Sequence, residues 1–251
     1  MRFRLASTFI VAAAAAFASQ AATAAPVKNI VLVHGAFVGG SGWRPVYDIL
    51  THDGYNVTLV QEPLTSFAED VAATQRILAM QNGPTILVGH SYGGAIITEA
   101  GNDPHVAGLV YIAAHALDNG ETEAINGKKF PNAAHPFAKT PDGFLYINPV
   151  IFPSDFAADL PLKQAEFEAK AQMLTSASVF TANIPDPAWK VKPSWYMVAK
   201  ADKIINPDLE RMYAKRAHSH TVEIAGAWHS VYESHPKEVA ALIEQAALGA
   251  K

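Results

Sequence analysis

Short runs of aliphatic and β-branched residues recur along the chain, and stretches with helical spacing lie between them. Asn29-Ile30-Val31-Leu32-Val33 is apolar without alternation, the pattern of a strand covered on both faces. Asn56-Val57-Thr58-Leu59-Val60, Thr85-Ile86-Leu87-Val88, Val106 to Ala113, Ser194-Trp195-Tyr196-Met197-Val198 and Thr221-Val222-Glu223-Ile224 read as further strands. Trp43 to Thr51 reads as a short helix that Asp53-Gly54 terminates. Ser66-Phe67-Ala68-Glu69 has capping-box spacing and opens a helix to about Gln81. Phe67, Val71, Thr74, Ile77 and Leu78 share one face of it, and Gly83-Pro84 stops it. Gly94 to Ala100 is a helix of small residues. Asn206-Pro207 supplies an N-cap and first-turn pair for a helix through Lys215. Pro236 to Ala247 is a closing helix. Strands alternating with helices predict an α/β fold, an open, mostly parallel sheet with helices on both faces.

The rhythm breaks from about 115 to 192. This stretch is rich in proline and carries Phe130, Phe137, Phe144, Tyr146, Phe152, Phe156, Phe167, Phe180 and Trp189. Only Pro161 to Ser176 reads as a clean helix. A structureless insert of this length is unusual in a compact domain, so a folded helical cap is expected, inserted after the strand that ends near Ala113. Its aromatics can line a pocket, but most are expected simply to bury the cap on the core.

Length and composition narrow the class. A chain of 251 residues, half of them hydrophobic, suits one α/β domain with an insertion. The first stretch stands apart from that domain. Met1-Arg2-Phe3-Arg4 is basic, Leu5 to Phe17 is apolar and alanine-rich, and Ala22-Thr23-Ala24 is an A-x-A cleavage site. Residues 1–24 are therefore expected to be a signal peptide, with residues 25–251 as the mature domain and no stable membrane span after cleavage. The expected address is periplasmic or secreted. Loss of Arg2 and Arg4 leaves 17 basic against 23 acidic residues, a net charge of −6 in place of −4. No basic patch points to nucleic acid. Cysteine is absent, which excludes disulfides and thiolate metal sites.

The third strand runs directly into Gly89-His90-Ser91-Tyr92-Gly93, and a helix follows. A G-x-S-x-G sequence between strand and helix is a nucleophile elbow. The glycines let strand and helix pass closely. The serine sits at a helix N-terminus, where peptide dipoles favour a developing oxyanion. The first strand ends in His34-Gly35-Ala36-Phe37, ahead of the glycine-rich Val38-Gly39-Gly40-Ser41-Gly42. No G-K-[ST] is present, so this is not a phosphate-binding P-loop. Such a loop supplies the second oxyanion donor beside an elbow, which assigns the N–H groups of Ala36 and Tyr92 to that role.

A serine nucleophile needs a base, and the base needs a carboxylate. Asp202 and His229 each lie just past a predicted strand end, where open α/β sheets gather their ligand sites. Asp186 falls in the proline-rich end of the insert, and Asp208 opens a helix, so both are weaker candidates for the acid. His235 precedes Pro236 and reads as a helix cap. His34 and His90 flank the site and are expected to shape the two oxyanion loops with Gly35. His52, His105, His115, His135, His218 and His220 read as surface or core residues, and no pair has the spacing of H-E-x-x-H.

Together, Val31-Leu32-Val33-His34-Gly35, Gly89-His90-Ser91-Tyr92-Gly93, the Asp202 turn and Gly226-Ala227-Trp228-His229 resemble the α/β-hydrolase superfamily. His34-Gly35-Ala36-Phe37 and the short cap resemble its branch of small esterases and hydroxynitrile lyases, which includes plant methyl-ester hydrolases. The resemblance covers essentially the whole mature chain and implies an α/β-hydrolase fold. It also implies acyl transfer by Ser91, His229 and Asp202 without metal or organic cofactor, on a small-molecule ester. Three alternatives remain: a hydroxynitrile lyase, a cofactor-free perhydrolase or haloperoxidase, and a small-ligand-binding protein of the same fold. In the lyases of this branch a threonine follows the oxyanion-loop histidine and a lysine follows the catalytic histidine. Here those positions are Gly35 and Ser230.

Overall fold

A computed structural model describes residues 26–250. The expected signal peptide and its cleavage site lie outside the described residues.

Six strands form one parallel sheet: β1 (Asn29–Val33), β2 (Asn56–Leu59), β3 (Thr85–His90), β4 (Val106–Ile112), and, after the insert, Ser194–Ala199 and His220–Ile224. The insert contributes two two-residue strands, β5 (Ala138–Lys139) and β6 (Leu145–Tyr146), so the last two sheet strands are β7 and β8. The order across the sheet is β2-β1-β3-β4-β7-β8. The chain steps outward from β1 to β2 and then back across β1 to β3. That reversal opens a crevice at the carboxyl ends of β1 and β3.

Successive side chains of a strand point to opposite faces, and the core divides accordingly. Val31, Val33, Leu87, Leu109, Tyr111, Tyr196 and Val198 belong to one buried cluster. Ile30, Leu32, Ile86, Val88, Val110, Ile112, Trp195 and Met197 belong to the other. Helices α1 (Arg44–His52) and α9 (Pro236–Gly249) cover the second face through Val46, Leu50, Val239, Leu242 and Ile243. Helices α2 (Phe67–Leu78), α3 (Gly93–Ala100) and α7 (Pro207–Arg216) cover the first. The doubly covered parallel sheet is the architecture that the apolar runs predict.

Helix starts follow local chemistry. Ser66 Oγ accepts from the Glu69 N–H at 3.3 Å, and the Asn206 side chain accepts from the Asp208 N–H at 2.9 Å ahead of Pro207. His235 takes the N-cap position of α9, as expected, but its ring makes no capping hydrogen bond; its Nδ1 stands 2.9 Å from Ser234 Oγ. Helix α2 ends three residues early, at Leu78, because Gln81 turns back to donate to the Ile77 carbonyl at 2.9 Å.

The segment between β4 and β7 is a cap, but it is less helical than expected. It holds α4 (Glu123–Lys129), the antiparallel β5–β6 pair, α5 (Phe152–Asp155) and α6 (Leu162–Ala171). Helix α6 stops well short of Ser176, because the chain leaves it extended so that the Met173 N–H can donate to the Phe37 carbonyl at 2.9 Å. That bond ties the cap to the loop after β1. Among the cap aromatics, Phe130, Phe137, Phe156 and Phe180 line the cavity that Ser91 reaches, Phe152 and Trp189 are buried, and Phe167 is exposed.

Candidate active site

The loop after β3 turns through Ser91, whose φ of 54° is left-handed. A residue with a Cβ holds that conformation at a cost of about 1–3 kcal/mol, so surrounding packing must impose it. The packing leaves no alternative. A Cβ at Gly89 would stand 2.5 Å from the Gly93 carbonyl oxygen, and one at Gly93 would stand 2.5 Å from the His34 carbonyl oxygen. Only glycines let α3 start this close to β3 and β1. Ser91 is consequently held at the N-terminus of α3, above the carboxyl edge of the sheet.

The loops after β7 and β8 bring Asp202 and His229 to the same edge. Ser91 Oγ lies 2.8 Å from His229 Nε2, and His229 Nδ1 lies 2.6 Å from Asp202 Oδ2. The other carboxylate oxygen, Asp202 Oδ1, accepts the N–H groups of Ile204 at 2.7 Å and Ile205 at 3.0 Å. With Asp202 an acceptor on both sides, Nδ1 carries the proton and Nε2 faces the serine hydroxyl. All three side chains are buried. This geometry can withdraw the serine proton and hold the resulting imidazolium against a carboxylate. Asp186 and Asp208 do not join it: Asp208 pairs with Arg211 at 2.8 Å on an exposed helix face, and the Asp186 carbonyl accepts from Asn102.

Glu210 of α7 is fully buried beside Asp202, and its Oε2 accepts the Ala199 N–H at 3.1 Å. Burial first, and then the neighbouring Asp202 charge, hold its carboxyl well above the usual carboxylate range.

The three flanking residues act on the loops. His34 Nδ1 donates to the Gly35 carbonyl at 2.9 Å. Because a trans peptide sets its carbonyl and N–H on opposite sides, this bond also sets the direction of the Ala36 N–H. Burial opposes a charge on His34, but Glu62, with Oε2 2.5 Å from Nε2, outweighs it and raises the imidazole. A Cβ at Gly35 would meet Ser91 Cβ at 2.7 Å. His90 Nε2 donates to the His229 carbonyl at 2.9 Å, and burial holds this ring far below the ordinary histidine range. Tyr92 is buried, with its hydroxyl donating to Asp70 Oδ2 at 2.7 Å. Neither the Ala36 nor the Tyr92 N–H donates to another described residue, whereas the Phe37 N–H is engaged by Thr175 Oγ1 at 3.1 Å. Two free donors thus flank Ser91.

The cap completes the site from above. The Phe156 ring stands edge-on to His229, with centroids 4.7 Å apart, and its carbonyl accepts the Ser230 N–H at 3.1 Å. Asp159 Oδ2 accepts the Trp228 N–H at 2.9 Å. The histidine loop is thereby clamped on either side of His229. Beneath the cap lies a cavity of about 270 Å³ that Ser91 and Ala36 reach.

His115, expected to be a surface or core residue, is buried against Tyr213 and Glu123, and it also forms part of the cavity wall. It lies just past the end of β4, and the rule that selected Asp202 and His229 would have selected it too. Among the described residues, no group of three or more His, Asp or Glu side chains is placed to hold a metal ion. No described helix is long and apolar enough to cross a membrane.

Comparison with known proteins agrees with this architecture. The model of the alpha/beta hydrolase family matches residues 30–242. The carbendazim hydrolyzing esterase of Nocardioides sp. (strain SG-4G) is 33% identical over 110 residues, covering 38% of this chain and 46% of that protein. The match thus spans less than half of that relative's length. The pyrethroid hydrolase of Sphingobium faniae JZ-2 superposes with a TM-score of 0.73 at 23% identity, over 89% of this chain and 98% of that one. The methylesterase MES16 from Arabidopsis gives a TM-score of 0.72 at 20% identity, over 88% and 98%. At these identities the two structures speak for the fold alone.

Proposed function

The chain belongs to the alpha/beta hydrolase family, and from that premise we propose that it is a serine esterase acting on small carboxylic esters through an acyl-enzyme. The observation that carries this reading is the continuous chain from Ser91 Oγ through His229 to Asp202, at 2.8 and 2.6 Å, with the serine held at a left-handed φ. Ser91 attacks the ester carbonyl while His229 takes its proton. The N–H groups of Ala36 and Tyr92 receive the oxyanion, and His229 then protonates the leaving alcohol. Water activated by His229 releases the acid. The cap keeps bulk water from the cavity, whose modest size suits a small substrate. The relative described as a carbendazim hydrolyzing esterase supports ester hydrolysis as the reaction class.

The lyase alternative lacks its two requirements. Gly35 leaves no room for a threonine side chain, and Ser230 is neutral and buried. The neighbouring ammonium groups point elsewhere: Lys203 donates to the Ser154 carbonyl and Lys200 faces Glu223. The test pairs two assays. Purified mature protein hydrolyses p-nitrophenyl esters of short acids and releases no cyanide from mandelonitrile above background. Cyanide release that disappears in Ser91→Ala would replace the esterase reading with the lyase.

The basic and apolar N-terminal stretch supports export, with a mature chain beginning at Ala25. N-terminal sequencing of exported protein tests this, and recovery of Met1 would contradict it.

A further inference from the structure

The N–H groups proposed to receive the oxyanion, those of Ala36 and Tyr92, belong to turns after different strands. Each is aimed by bonds to the carbonyl of the residue before it. His34 Nδ1 holds the Gly35 carbonyl at 2.9 Å. The N–H groups of Gly94 and His115 hold the Ser91 carbonyl at 3.0 and 3.1 Å. A trans peptide then directs the following N–H. Such bonds set the directions of the two donors but not the spacing between their turns. A third element bridges that gap. Asp70 of α2 is fully buried, and its two carboxylate oxygens serve different turns. Oδ2 accepts the Tyr92 hydroxyl at 2.7 Å, and Oδ1 accepts the Leu64 N–H at 2.8 Å. Leu64 holds a left-handed φ of 57°, which a residue with a Cβ keeps only where its surroundings impose it. Two residues earlier, Glu62 meets the His34 ring. Its N–H lies 3.1 Å from Nε2, and its Oε2 lies 2.5 Å from the same atom. His34, Glu62, Leu64 and Tyr92 are buried as well, so this chain of contacts is shielded from bulk water.

We propose that Asp70 is a positioning residue for the oxyanion hole, its carboxylate fixing the Tyr92 turn with one oxygen and, through Leu64 and Glu62, the His34 turn with the other. The side chain suits that task. A carboxylate accepts on both oxygens at once and cannot turn away from one donor without losing the other. Its backbone is anchored in a helix, where its N–H donates to the Ser66 carbonyl at 3.1 Å. Burial raises its carboxyl to about 6, against the two hydrogen bonds that favour the ion, so at pH 8 it is ionised and both oxygens accept. Oxyanion donors act where charge develops in the transition state. A displaced donor therefore costs rate rather than affinity for the substrate.

The role given to Asp70 rests on the esterase reading, so the test separates the two. Ester hydrolysis is followed at pH 8, with rates scaled to the fraction of protein that a fluorophosphonate titrates. Two inhibitors are compared, 1,1,1-trifluorohexan-2-one and hexan-2-one. With the first, Ser91 Oγ bonds to the carbonyl carbon, the C=O electron pair passes to oxygen and the serine proton passes to His229. The adduct thus carries the oxyanion, whereas the second ketone binds without adding. Asp70→Ala is expected to lower kcat by about tenfold to a hundredfold and to raise Ki for the trifluoro ketone by the same factor, with KM and the Kd of hexan-2-one within about twofold of wild type. Tyr92→Phe, which removes only the hydroxyl, moves the same two quantities by a smaller factor. Asp70→Asn keeps an oxygen for the Leu64 N–H and an N–H for the Tyr92 oxygen, and recovers most of the loss. If Asp70 serves stability alone, its variants lower Tm while kcat per active site and the ratio of the two ketone affinities stay as in wild type; that result would overturn the inference. Should Asp70→Ala fail to fold, Tyr92→Phe decides: weaker binding of the trifluoro ketone alone supports the role, and an unchanged ratio contradicts it. Failure of wild-type protein to hydrolyse any ester would instead count against the esterase reading.

Discussion

The imidazole of His90 donates to the backbone carbonyl of His229 at 2.9 Å, so the residue before the elbow serine fixes the loop that presents the base. The rings of the two histidines also lie against each other, with centroids 4.7 Å apart. His90→Phe keeps an aromatic ring in the cluster with Tyr232 but strands the His229 carbonyl. A small displacement of a reacting group can cost about a hundredfold in rate. We expect His90→Phe to lower kcat by roughly tenfold to a hundredfold with KM little changed, and His90→Gln to recover part of the loss. Steady-state kinetics on one chromogenic ester checks it; an unchanged kcat would remove His90 from the positioning of His229.

Asp202→Asn retains an oxygen for the Ile204 and Ile205 N–H groups but presents an amide N–H to His229 Nδ1. The ring must then change tautomer and turn its proton toward Ser91. A loss of up to ~10⁴ in kcat is expected with the fold preserved. Asp208→Asn, on the exposed Arg211 pair, should remain near wild type. A larger loss in Asp208→Asn than in Asp202→Asn would reassign the acid.

The site's frame was largely legible in the sequence because each part has a local signature. Gly89 and Gly93 declare the elbow, since any side chain there would strike backbone. Asp202 and His229 are marked by position after strands, and the structure joins them in one network in which Asp202 meets His229 and His229 meets Ser91. The cap was not legible. Its strands are two residues long and its helices α4 and α5 are short, so neither period repeats often enough to read. The roles of Phe156 and Asp159 depend on contacts more than sixty residues away, with Ser230, Trp228 and Ser234. The burial of Glu210 beside Asp202 was not legible either, because burial is a property of packing and leaves no mark on a single residue.

Glu233, in the short helix α8 (Val231–Ser234), gives a pH dependence of defined sign. It accepts from Gln164 of the cap at 3.0 Å. Burial, and then the Glu168 charge, raise its carboxyl from 4.5 to about 7. The folded protein therefore holds a proton here that the unfolded chain has released between about pH 4.5 and 7. Its contribution to stability is complete below that window and is lost as pH rises through about 7. Glu233→Gln keeps the acceptor without the charge. The Tm of the variant relative to wild type should rise as pH goes from 5 to 8. A constant difference across that range would show that Glu233 is not the group responsible.

The central claim is that Ser91 is the nucleophile, and covalent labelling tests it most directly. Mature wild-type protein is incubated with a fluorophosphonate, digested, and mapped by mass spectrometry while residual ester hydrolysis is followed. The account predicts one adduct, on Ser91, with activity lost in proportion to labelling and no adduct in Ser91→Ala. An adduct on another residue, or full activity with Ser91 labelled, would contradict it.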